Sequence, residues 1–129
     1  MLARLVIGGL LLAHGAVHLL YLTPAPKDAA AWPFSLGESW VVPGSARRGV
    51  GLTAAVAIAV VYLLVALTIW GVPGMEKWLR PLLIAGSIAS LTLFAAYWHP
   101  WLSIGTAIAA GLLVVTVVRY EWWQRLIES

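Results

Sequence analysis

Apolar residues run almost unbroken through four stretches of this chain, and the polar residues collect at the joints between them. A helix of a soluble domain keeps a polar face. None of these four stretches has one over its length, and ~20 apolar residues are enough to cross a bilayer. The pattern predicts an all-α integral membrane four-helix bundle, a single domain over residues 1–129, with spans at about 2–22, 49–70, 81–98 and 102–118. Its polypeptide surroundings are lipid, as a multi-pass protein of the cell membrane, and the compact plan suits a bacterial plasma membrane.

The joints have distinct characters. Residues 23–48 form a long connection rich in Pro and Gly, carrying Trp32, Phe34 and Trp40, and are expected to lie against the membrane surface over one end of the bundle. Gly71-Val72-Pro73-Gly74 ends the second span, and Pro81 suits the first turn of the third, where a missing N–H costs nothing. Only His99-Pro100-Trp101 separates spans three and four. One helix over 81–118 would be ~57 Å long, against a hydrocarbon core of ~30 Å, so a tight hairpin is required. The tail from Arg119 to Ser129, with Tyr120, Trp122 and Trp123, reads as an interfacial helix end. Arg4 before an apolar run, with alanines at 29–31, has the look of a signal peptide, but the apolar stretch is long enough to be read as a span.

Composition then narrows the classes. The chain of 129 residues is 62% hydrophobic and 10% charged, with eight Lys and Arg, too few for a nucleic-acid surface. It has no cysteine, which excludes disulfides, thiolate metal sites and a thiol nucleophile. The eight Trp all fall near expected span ends, where interfacial rings are favoured. Four spans place both termini and the 71–80 turn on one side, with Arg4, Lys77, Arg80, Arg119 and Arg125; the other side has Lys27, Arg47 and Arg48. That excess puts both termini in the cytoplasm and the 23–48 loop outside. Small residues four apart, Gly9 and Ala13, Ala55 and Ala59, Ala107 and Gly111, suit close helix packing, with a membrane protein partner or a second copy as well as within the bundle.

Chemistry gathers at the outer end. His14 lies ~18 Å along the first span from Leu2, just past the midplane; His18 is one turn further on the same face, and His99 closes the third span at that level. Glu38 and Asp28 are in the loop on the same side. His14 is the deepest ionisable group, and at that depth a polar side chain marks a functional site or needs a partner. Three site chemistries fit: a divalent metal on His14, His18 and His99 with a carboxylate such as Glu38; haem held by histidine; or a quinone or other lipid-soluble ligand hydrogen-bonded by His14. Against these stands plain packing, with His14 bonded to a neighbouring Ser, Thr or carbonyl and His18 and His99 interfacial. Glu38 reads equally as a solvated loop carboxylate, and Arg47-Arg48 as a headgroup anchor. The residues do not decide whether any reaction is catalysed.

The first span, Arg4-Leu5-Val6-Ile7-Gly8 followed by Ala13-His14-Gly15 and His18-Leu19, resembles the opening of DoxX-like membrane proteins. Arg4, Gly8, His14 and Gly15 match that pattern; His18 stands where the family usually has lysine, and Arg47-Arg48-Gly49 where it has an acidic residue. The likeness covers about the first 20 residues. It implies a four-helix subunit or accessory of a redox or quinone-linked membrane complex. The alternative function is a structural adaptor with no cofactor.

Overall fold

The computed structural model describes residues 1–24, 26–27 and 32–129; Asp28 lies outside the described residues. Among the described residues all regular structure is helical, and four helices are long and apolar enough to cross a membrane. Helix α1 (Leu2–Val17) continues as a tighter 3₁₀ segment, His18–Leu22. Helix α2 spans Arg47–Trp70, α3 Leu79–Ala96, α4 Ser103–Val118 and α5 Tyr120–Glu128. Helix α1 packs on α2, α2 on α3, and α3 on α4. The seam between α1 and α4 is not closed by direct packing of the two helices.

Glycines set how closely α1 approaches α2. A Cβ on Gly15 would strike Tyr62 Cβ, so that α1 position requires the bare backbone, and one on Gly8 would force the indole of Trp70 aside. Helix α2 ends at Gly71, whose φ of 94° is left-handed. Val72 N–H donates to Leu67 O (3.1 Å) and Gly71 N–H to Thr68 O (3.0 Å), the pairing of a Schellman cap. Arg4 supplies the next bond, its Nε–H donating to Ile69 O at 2.6 Å. The basic residue at the start of the chain thus satisfies a helix-end carbonyl that would otherwise be orphaned.

The opposite end is closed by the loop. Ser39 Oγ donates to Ala96 O (2.6 Å) and Trp40 Nε1–H to Ala95 O (2.5 Å), which covers the last carbonyls of α3. The Tyr97 hydroxyl donates to Arg47 O at 2.5 Å. With these bonds made, Tyr97 leaves helical conformation (φ −119°, ψ 50°), so α3 stops at Ala96, two residues before the expected end of span three. Leu36 is buried against Gly51.

Arg47 has a role the sequence did not reveal. Its guanidinium donates to Val42 O (3.0 Å), Gly37 O (3.0 Å) and Ser39 O (3.2 Å), fastening the loop to the head of α2 rather than standing out as a headgroup anchor. Hydrogen bonds to a charged group are worth about 1.5–3 kcal/mol each, so losing all three in Arg47→Ala is expected to free the loop from the head of α2 and expose it. Limited proteolysis would read this as faster cleavage within residues 32–46 with the helical content retained.

The tail is a separate helix because Arg119 breaks α4 (φ −130°, ψ 43°). Helix α5 turns back beneath the bundle, touching α1, α2 and α4, with Trp123 and Leu126 buried. Arg80 sits over the Tyr120 ring at 5.2 Å. Arg119 and Glu121 form an exposed ion pair at 2.5 Å, and the Arg119 hydrogen bond holds the Glu121 carboxyl below its ordinary range.

Candidate functional site: a histidine pair beside a side groove

The face of α1 bearing His14 and His18 points into the bundle. His18 is fully buried, stacked on Phe94 of α3 with centroids 4.9 Å apart and planes at 17°, and aligned with the Tyr62 ring at 6.4 Å. Its Nδ1 lies 3.0 Å from the backbone carbonyl of His14. A carbonyl only accepts, so Nδ1 carries the proton and the lone pair of the neutral ring is on Nε2. That Nε2 is buried without a partner. Buried polar atoms are rarely left so, and each such case needs a reason.

His14 differs from His18 in having one side open. Its ring meets Tyr62 edge-on at 5.0 Å and His18 edge-on at 5.4 Å, and its Nε2 is buried and unpartnered. The same side chain lines a cavity of about 340 Å³ that opens sideways between α1 and α4, walled by Leu10, Val17, Phe94, Trp101 and Ile104. His14 thus joins the buried cluster to the outside of the bundle.

The rest of the cluster comes from residues that sequence reading passed over. Tyr62 is fully buried, its ring held between Gly15 of α1 and Gly86 of α3. Its hydroxyl stands beside those of Ser87 and Ser90, yet none of the three meets the geometry of a full hydrogen bond. Four threonines of the spans behave otherwise. Thr68, Thr92, Thr106 and Thr116 each donate to the carbonyl four residues back, at 2.7–2.9 Å. Among the described residues, five of the eight buried side-chain polar atoms without a partner belong to this cluster; the other three are on Tyr21, Trp32 and Trp123. The available signal was Ser87 and Ser90 three apart on one face of α3, opposite the tyrosine of α2.

His99 and Glu38 do not join this cluster. His99 Nδ1 accepts from Trp101 N–H at 3.2 Å, which makes it the cap of the short Pro100–Leu102 turn. Together with Glu38, Trp32 and Trp98 it lines a different cleft of about 390 Å³ at the end of the bundle. Among the described residues no three His, Asp or Glu come together around a possible metal position. The expected metal set of His14, His18 and His99 is corrected accordingly: two nitrogen donors are adjacent and the third ring is used as a cap. The reason is that level in the membrane fixes height but not direction around the helix. Haem between two histidine ligands is also disfavoured, because His14 and His18 project from the same side of one helix and cannot bracket an iron.

Comparison with family models, with curated proteins and with solved structures finds no match for this chain. Its reading rests on its own residues.

Proposed function

We propose that this chain is a multi-pass membrane protein, with both termini cytoplasmic and the 23–48 loop outside, that serves a redox or quinone-linked membrane system. In this reading it holds a lipid-soluble ring compound of the quinone class in the side groove, against His14. The observation that carries the reading is that the His14 side chain, deep in an apolar span, lines the groove between α1 and α4; its Nε2 is itself buried and without a partner. A ring carbonyl would accept from an imidazole N–H, and a ring hydroxyl would donate to the imidazole lone pair. His18 and Tyr62 would fix the orientation of His14 by packing against two of its edges. Electrons would come from a partner, since the chain has no cysteine and no three-donor metal set among the described residues.

The likeness of Arg4, Gly8, His14 and Gly15 to DoxX-like proteins supports the same assignment, as an accessory of a larger complex. A second reading, a cofactor-free adaptor, draws on Gly9 and Gly111, which have open space where a Cβ would stand. Titration separates the two. A benzoquinone added to the protein in lipid nanodiscs should quench tryptophan fluorescence saturably, and Trp101→Phe should remove most of that change, because Trp101 lines the groove. Quenching that is linear, and identical in the Trp101→Phe protein, would contradict the ligand reading.

A further inference from the structure

The groove does not end at His14. A second cavity, of about 550 Å³, lies further along the same seam, and Leu10 of α1 and Ile108 of α4 line both. From Ile104 to Val115 the groove follows α4 for ~16 Å, roughly half of a ~30 Å hydrocarbon core. Its walls are apolar apart from His14 towards one end and Arg119 at the other, where Trp122 and Trp123 of α5 form the stop. Helix α1 packs on α2, and α4 on α3 and α5, and residues of both α1 and α4 line the two cavities along the seam between them.

Resting on the ring-binding reading above, we propose that this second cavity is a channel for the single isoprenoid or alkyl tail of the same ligand. The tail would run from His14 past Gly111 to the α5 tryptophans. Depth argues for a neutral ring, rather than a lipid headgroup, as the group beside His14. His14 is eight residues short of Leu22, ~12 Å below the end of the span, where a compact neutral ring can sit and a charged headgroup is disfavoured. Space argues for the tail. Ala107 and Gly111 line the cavity one turn apart, and a Cβ on Gly111 would meet nothing within 4 Å. The small side chains leave a trough along α4 rather than a filled contact.

The openness of Gly111 makes the test clean, since a larger residue can enter the trough without disturbing the packed core. The probes are one benzoquinone ring without a tail and the same ring with a ten-carbon tail, each titrated in nanodiscs. Gly111→Phe should weaken the tailed probe at least roughly tenfold, the equivalent of about two buried methylene groups, and leave the tailless probe unchanged. Val117→Phe, at an exposed α4 position outside the groove, should leave both probes unchanged and controls for partitioning into lipid. His14→Phe should weaken both. If Gly111→Phe leaves the tailed probe unaffected, or Val117→Phe weakens it equally, the tail channel is wrong while ring binding stands. If wild-type protein binds neither probe saturably, both proposals fall.

Discussion

A Gly15→Val protein is expected to lose its folded bundle, not merely its ligand. The new Cβ would land on Tyr62 Cβ, an atom fixed by the α2 backbone and unable to swing aside. Tyr62 cannot retreat either, because Gly86 of α3 stands at the far end of its ring, where an added Cβ would already be 3.3 Å from Tyr62 Cζ. Relief requires α1 to move off α2, which also separates Gly8 from Trp70 and Arg4 from Ile69 O. Overpacking of a rigid core costs about 1–3 kcal/mol and occasionally more; with both backbones fixed, roughly 3 kcal/mol or more is expected here. Thermal unfolding in mild detergent, followed by circular dichroism, would show it as a collapse of the melting temperature or as aggregated protein. Gly9→Val, where nothing lies within 4 Å, is the matched control and should melt like the parent.

His14→Phe should have the reverse profile: a stable bundle with its ligand site removed. Phenylalanine keeps the planar ring that packs edge-on against Tyr62 and His18. It also deletes a buried nitrogen that has no partner, and removing an unsatisfied polar atom is neutral or stabilising. Ligand binding should suffer, because a buried ring oxygen of the ligand would lose its hydrogen bond at a cost of about 1–3 kcal/mol, roughly 10- to 100-fold in affinity. His14→Gln, which retains a donor and an acceptor, should restore part of it. Equal melting temperatures with unequal affinities would mark His14 as a binding residue; a large fall in melting temperature with unchanged affinity would mark it as packing.

The four apolar runs contained most of the fold. Helix positions, the break at Gly71 and the hairpin before Pro100 all follow from residue type and length, because lipid leaves the backbone few alternatives to helix. The directions in which side chains point were less legible. Arg4, Gly8, His14 and Gly15, read along the chain as one motif, serve two purposes in space: Arg4 and the two glycines bring α1 against the C-terminal half of α2, and His14 alone of the four faces the groove. Tyr62 was hidden by its setting, since one tyrosine within an apolar span looks like a large hydrophobic residue. Only the facing glycines and the Ser87–Ser90 pair mark it as the centre of a polar cluster. His99 and Glu38 were placed by height and share a cleft with each other instead of with His14. Arg47 looked like a surface anchor because its three carbonyl partners are backbone atoms, which carry no signature in side-chain sequence.

The most direct measurement is the content of lipid-soluble quinone that co-purifies with the protein. The wild-type chain and His14→Phe would be isolated side by side from the same membranes in mild detergent, extracted with solvent and quantified against protein. Near-stoichiometric quinone on the wild type, and background levels on an equally folded His14→Phe protein, are the predicted result. Background quinone on both, or equal loading of the two, would contradict a ligand site at His14 and leave the bundle to be understood as an adaptor.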